Sequence, residues 1–203
     1  INTIFVLFMF LHRSISCSCQ CFMAEFLQLL RLLTLSVELR INYIYMDVQT
    51  SERFKAVSDS LGWAYRSLAQ QCIHGFLGKY REFYTAAAQD DYQARGMTGQ
   101  EYYIALEEGK ELTAYQTKKP IWTDTPLSKV PAPPSTQDNR YRYNTISLSD
   151  HNAVCLKVAQ LVHEVPLTVL ISRIIKDHFE RYWESNYLPQ IEMHKQKIFT
   201  LEN

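Results

Sequence analysis

The chain has 203 residues, 47% of them hydrophobic, which is enough for one or two small domains with a real core. Lysine plus arginine total 21 and aspartate plus glutamate total 21, so the formal net charge is zero; this excludes a protein coated in positive charge and leaves room only for a local basic face. The five cysteines are not a disulfide framework: Cys72 and Cys155 sit singly in apolar helical patterns, and Cys17, Cys19 and Cys21 offer a soft metal one thiolate fewer than a tetrahedral set.

Along the chain, residues 4–11 are apolar, but eight residues are far too few to cross a bilayer, and no basic residue precedes them as in a signal peptide. Residues 26–37 have amphipathic helical spacing, with Arg31 on the polar side. Met46 opens the first stretch with the composition of an ordinary soluble domain. Residues 1–45 are therefore expected to be upstream read-through with Met46 as the natural start, and a membrane-surface helix is the alternative.

From Met46 the alternation of Met46, Val48 and Thr50 predicts a short strand. Ser51-Glu52 then cap a helix carrying Phe54, Val57 and Leu61, stopped by Gly62. A second helix follows with Ala69, Cys72, Ile73, Phe76, Leu77 and Tyr80 along one face, interrupted by Gly75 and Gly78. These make a first, degenerate unit over 46–84. Residues 85–141 read as a connector. Within it, Thr98-Gly99-Gln100-Glu101 is a capping box opening a helix over about 98–109, and Pro120, Pro126, Pro131, Pro133 and Pro134 mark an extended linker over 117–139.

Residues 142–184 repeat the pattern more clearly. A strand from Tyr143 to Leu148 places Asn144, Ile146 and Leu148 on one face and Tyr143, Thr145 and Ser147 on the other. Ser149-Asp150 cap a helix with Val154, Val158, Leu161 and Val162, and Glu164-Val165-Pro166-Leu167 break it. A second helix begins near Thr168 with Leu170, Ile171, Ile174, Ile175, His178, Phe179 and Tyr182 on one stripe. Ser67 and Thr168 align the second helices 101 positions apart, while Val48 and Ile146 align the strands at 98. A six-residue strand cannot bury its apolar face alone, so each unit needs a partner of its own kind. Residues 185–203 form a tail with Leu188, Ile191, Met193 and Phe199.

The stretch Tyr143-Asn-Thr-Ile-Ser-Leu-Ser-Asp, followed by Val165-Pro-Leu-Thr-Val-Leu-Ile-Ser-Arg-Ile-Ile175, resembles the ribbon–helix–helix family, which includes the Arc and methionine repressors; the stretch from Met46 resembles it more loosely. The resemblance implies a mainly helical fold with a short β-ribbon: tandem ribbon–helix–helix units joined by a helical and Pro-rich connector. It also implies a cytoplasmic, sequence-specific regulator, of bacterial transcription or plasmid maintenance, that reads the major groove of double-stranded DNA with an antiparallel ribbon. Carried over by position, the base-reading residues are Thr145, Ser147 and Tyr143 in the second strand and Gln49 in the first, beside Tyr45 and Asp47. Asp47 departs from the pattern, because phosphates repel a carboxylate in the groove. The phosphate contacts would be Arg140, Arg142, Arg66 and Arg53, with Thr168 and Ser67 near the starts of the second helices, where backbone amides favour anions. The two hydroxyl residues serve equally well as plain caps, and each arginine as a solvated side chain. The units pair either within one chain, as a pseudo-dimer, or between chains of a homo-oligomer.

Ser149-Asp150-His151 also resembles the motif that ends metal-dependent endonuclease/exonuclease/phosphatase domains, but that fold needs strands around the motif and an upstream acidic metal set. No glycine-rich phosphate loop, paired metal-ligand histidines or nucleophile elbow appears. His74 and His178 lie on apolar stripes. The expectation is therefore a binding protein, not an enzyme, without metal or cofactor. The rival reading is a dimerisation or antitoxin-like module whose tail docks in a protein partner.

Overall fold

The structure is a computed structural model and describes residues 36–39, 43–136, 140–142 and 146–202. Contacts divide the chain into two bodies, residues 1–36 and 37–203. Of the first only Ser36 is described, so the expectations for the Cys17–Cys21 run and for an N-terminal helix lie outside the described residues. The second body is mainly helical with small two-stranded sheets.

Among the described residues two short strands precede the first helix: β1 (Ser36–Leu39) and β2 (Tyr43–Tyr45). The strand predicted over Met46–Thr50 is corrected. Helix α1 (Val48–Leu61) begins there, because Asp47 takes an extended backbone at φ −69°, ψ 167° and its carboxylate accepts the Thr50 N–H at 2.8 Å. That side-chain cap satisfies one of the amides a helix start leaves orphaned, which outweighs three residues of alternation. Upstream of Met46, Ile44 of β2 is fully buried in the core.

Helix α1 buries Phe54 and Val57 and ends at Gly62, whose φ of +69° is the left-handed turn that glycine adopts without strain. Helix α2 (Tyr65–Lys79) buries Leu68, Ala69, Cys72, Ile73, Phe76 and Leu77, so neither Gly75 nor Gly78 ends it. The connector is corrected next: a third helix, α3 (Arg81–Ala94), follows directly and buries Tyr84, Ala87, Ala88, Asp91 and Ala94. Helix α4 (Gly99–Glu108) opens on the predicted capping box, with the Thr98 N–H donating to Glu101 Oε2 at 2.9 Å and the Glu101 N–H donating to Thr98 Oγ1 at 3.3 Å.

The Pro-rich stretch is packed, not detached. Leu127 and Val130 are buried, and the Arg173 guanidinium donates to the carbonyls of Val130, at 2.8 Å, and Leu127. Its near end is tied down where the N–H groups of Gln116 and Thr117 both donate to the Ala94 carbonyl. Below that tie lies a buried ionic centre. Asp91 Oδ2 accepts from Arg95 Nε at 3.0 Å and from the Tyr102 hydroxyl at 2.9 Å, and Oδ1 accepts from the Tyr115 hydroxyl at 2.7 Å. Arg95 also donates to the Thr113 carbonyl at 2.6 Å, so the pair is fully hydrogen-bonded, as burial of charge demands.

Strands β3 (Arg140–Arg142) and β4 (Ile146–Ser149) lead into α5 (Asp150–His163), where Ser149 Oγ accepts the Asn152 N–H at 3.4 Å as predicted for the cap. Helix α6 (Leu167–Tyr182) buries Leu170, Ile171, Ile174, Ile175 and Phe179. The tail is corrected: one π-helical turn (Trp183–Tyr187) carries the chain into α7 (Leu188–Glu202), with Tyr187 and Ile191 buried and α7 packed on α1. No single helix among the described residues is long and apolar enough to cross a membrane.

The boundaries of the two halves recur at one spacing. The helix caps Asp47 and Ser149, the left-handed residues Gly62 and Glu164, and the second-helix starts Tyr65 and Leu167 are each 102 positions apart. The buried faces follow suit: Leu68, Ala69, Cys72 and Ile73 of α2 map onto Leu170, Ile171, Ile174 and Ile175 of α6. This corrects the offsets of 101 and 98 expected from sequence. Packing is reciprocal: β2 lies on α6 and β4 on α2, while α1 meets α6 and α5 meets α2. Strand pairing crosses in the same way, β1 with β4 and β2 with β3.

Candidate nucleic-acid interface

The β2–β3 ribbon holds two of the sequence-predicted phosphate-contacting residues, Arg140 and Arg142, beside Tyr45. It is antiparallel, with Tyr43 opposite Arg142, Ile44 opposite Tyr141 and Tyr45 opposite Arg140. Opposed residues of an antiparallel pair share a face, and successive residues alternate. Ile44 and Tyr141 take the core side: Ile44 is fully buried, and the Tyr141 hydroxyl is hydrogen-bonded to Ser51 Oγ on α1. Tyr43, Tyr45 and Arg140 take the other. There Arg140 is exposed, its guanidinium 4.0 Å from the centre of the Tyr43 ring, and Tyr43 meets Tyr45 edge-to-face at 5.4 Å. The cation and the two rings thus hold one another in place on the face turned from the core. The Tyr45 phenol is raised above its ordinary value, by desolvation first and then by Tyr43, so it is a neutral donor at physiological pH.

The ribbon is held from below by one buried serine. Ser172 Oγ on α6 accepts the Tyr45 N–H at 2.8 Å and donates to the Thr168 carbonyl at 2.6 Å. A second tie comes from Asp47, which does not face a groove. Besides capping α1, its carboxylate pairs with Lys176 Nζ at 2.5 Å, and Lys176 also reaches Glu180 at 2.9 Å. Partial burial alone would raise the Asp47 carboxyl, but hydrogen bonds from Lys176 and Thr50 hold it below its ordinary value. Lys176, whose own charge burial opposes, is held above its ordinary value by Asp47 and Glu180.

The other sequence-predicted residues are distributed as follows. Arg142 stands in β3 opposite Tyr43, so Arg140 and Arg142 form the strand itself instead of preceding it. Tyr143 and Thr145 lie outside the described residues, and Ser147 lies in β4 with its side chain outside them. Gln49 is corrected: it is exposed in the first turn of α1, not on a strand. Arg53 places its guanidinium over the Trp183 ring at 5.2 Å. Arg66 and Ser67 are exposed in the first turn of α2, and Thr168 is half-buried in the first turn of α6. The cap residues of these helices, Ala64 and Pro166, make no side-chain hydrogen bond to the first-turn amides.

Sequence reasoning missed Tyr43 as a ribbon residue. The available signal was Arg40, Asn42 and Ile44 recurring as Arg142, Asn144 and Ile146, at the spacing of the helix boundaries.

The Ser149-Asp150-His151 motif opens α5, where His151 Nε2 lies 3.2 Å from Arg81 Nη2 and 3.6 Å from Cys155 Sγ. Burial raises the Cys155 thiol above its ordinary value, against the opposing charge of Arg81. Among the described residues no group of His, Cys, Asp and Glu is arranged to hold a metal ion. Comparison with protein families, curated proteins and solved structures finds no match to this chain.

Proposed function

We propose that this chain is a tandem ribbon–helix–helix protein that binds duplex DNA through the outward face of its β2–β3 ribbon. The observation that carries the reading is the ribbon itself: an antiparallel pair joining the two halves, with Arg140, Tyr43 and Tyr45 on the side opposite the buried Ile44. A two-stranded ribbon fits the major groove, where arginine can pair with guanine edges or phosphate and tyrosine can donate to acceptors on bases or backbone. The recurrence of caps and buried faces at one spacing, and the seating of each half's strand on the other half's second helix, support the same reading. The starts of α2 and α6 carry no side-chain cap, and the positive end of a helix dipole favours an anion such as a phosphate.

The rival protein-docking reading relied on residues 185–203 as a free segment. In the structure these residues continue as α7, with Ile191 buried, Leu188 half-buried and Met193 exposed.

The test is a titration of the full chain against random and genomic duplex DNA across a salt series. Selective binding whose logarithm falls linearly with the logarithm of salt concentration is the expected result. A folded protein that fails to bind duplex DNA even at low salt overturns the proposal.

A further inference from the structure

We infer that Ser172 and Lys176 of α6 are positioning residues for the DNA-binding ribbon, acting through Tyr45 and Asp47 of the first half. This rests on the DNA-binding reading above and deepens it. β2 is three residues long, and its ladder with β3 is too short by itself to hold a binding face rigid. Ser172 and Lys176 stand one turn apart on α6, so their side chains leave the same face of the helix. Ser172 Oγ donates its proton to the Thr168 carbonyl and turns a lone pair to the Tyr45 N–H at 2.8 Å. Lys176 Nζ meets the Asp47 carboxylate at 2.5 Å. The chain is thus gripped on both sides of the buried Met46, where the strand gives way to α1.

The two oxygens of Asp47 have separate tasks. Oδ1 accepts the Thr50 N–H and caps α1, while Oδ2 faces the Lys176 ammonium. The cap shapes the start of the helix within one half, and the ion pair ties that start to the other half. Lys176 is not itself placed to meet a phosphate: its side chain is 12% exposed, and its ammonium is shared between Asp47 and Glu180. Ser172 is fully buried. Any influence of these two residues on binding therefore passes through the position of Tyr45, on the strand that carries Tyr43 beside Arg140. Hydrogen bonds weaken steeply with misalignment, so a small tilt of the ribbon costs affinity even when no contacting side chain is lost.

The deciding experiment measures affinity for the duplex most enriched from a random-sequence pool. The full chain is compared with its variants Ser172→Ala and Asp47→Asn across a salt series, at a temperature where circular dichroism shows each variant folded. Asp47→Asn retains one oxygen for the Thr50 amide and presents an N–H donor to Lys176, so it opens the clamp while keeping the cap. It also removes a negative charge, which by electrostatics alone would strengthen DNA binding. The expected result is the reverse: about a tenfold loss of affinity in each variant, the size of one specific contact, with the salt slope unchanged. Affinity equal to or above that of the unaltered chain in either folded variant overturns the inference. A slope reduced by about one phosphate equivalent overturns it too, because the residue would then be a direct contact. Failure of the folded, unaltered chain to bind any duplex at low salt overturns the DNA-binding reading, and the inference with it.

Discussion

Ser172 Oγ accepts the backbone N–H of Tyr45 at 2.8 Å across 127 positions of sequence, and it is fully buried. One hydroxyl therefore fixes the ribbon of the first half to the second helix of the other. Replacing it with alanine leaves the Tyr45 amide without that acceptor. Ser172→Ala should destabilise the protein by about 1–3 kcal/mol in urea denaturation, the cost of an unmet buried donor. A loss within error of zero would mean that the amide finds another partner.

The Asp91–Arg95 centre carries a larger consequence. Asp91 is 1% exposed and Arg95 is 9% exposed. Arg95→Ala removes the cation and keeps the carboxylate, with only the Tyr102 and Tyr115 hydroxyls still donating to it. A loss of about 3–5 kcal/mol is expected, read as a lower denaturation midpoint. Since the same guanidinium holds the Thr113 carbonyl, protease cleavage in the Pro-rich stretch should rise as well.

Acid should weaken the fold through two histidines. Burial lowers both His163 and His178 to about 4, with Arg173 adding to the effect at His163 and Asp177 opposing it at His178. An unfolded histidine takes up its proton near 6.5, so below that pH the unfolded chain binds protons that the folded chain refuses. Their contribution is complete above about pH 6.5 and declines as pH falls toward 4. Denaturation midpoints measured across that window should drop, and the slope should be shallower in the double variant His163→Gln, His178→Gln. An unchanged slope in that variant would assign the acid sensitivity to other groups.

Glu164 and Gly62 occupy the same left-handed position at the ends of α5 and α1, at φ of +50° and +69°. Only glycine adopts that conformation without a Cβ penalty. Glu164→Gly should therefore stabilise by about 0.5–1 kcal/mol and Gly62→Ala should destabilise by about 1 kcal/mol, both measured by thermal denaturation. The ion pair Glu164 makes with Lys119 is largely solvated and should subtract little.

Arg140→Ala tests the proposed DNA-binding face apart from folding. The side chain is exposed and its ring contact is on the outward face, so stability should change little. Affinity for duplex DNA should fall, and the salt dependence should lose about one phosphate equivalent. An unaltered binding isotherm would remove Arg140 from the interface.

Much of the helical framework was legible because its signals are local. The Thr98 capping box, the Ser149 cap and the apolar stripes of α2 and α6 each lie within a few turns of chain. The strands were less legible. Met46, Val48 and Thr50 alternate as a strand does, and only the reach of Asp47 back to the Thr50 amide shows that the helix has begun. Once β2 is misplaced by a few residues, the spacing between the halves is lost, and with it the repeat of Arg40, Asn42 and Ile44. Helix α3 was hidden by its buried face of Ala87, Ala88, Asp91 and Ala94, whose small and charged members carry little apolar signal. Asp91 is buried because Arg95, Tyr102 and Tyr115 meet it, and such a partnership spans too much sequence for periodicity to detect.

The crossed seating of the strands also sets the order of events during synthesis. β2 leaves the ribosome early, but its seat on α6 is not available until residue 172 has followed it, on the order of ten seconds later at ordinary elongation rates. Until then the apolar face of α2 lacks its main partner as well. The first half therefore has no independent fold to complete, and contacts of such long sequence separation make final assembly slow for a mainly helical protein. Chains released before α6 should be cleared or aggregate instead of accumulating as a half-size domain.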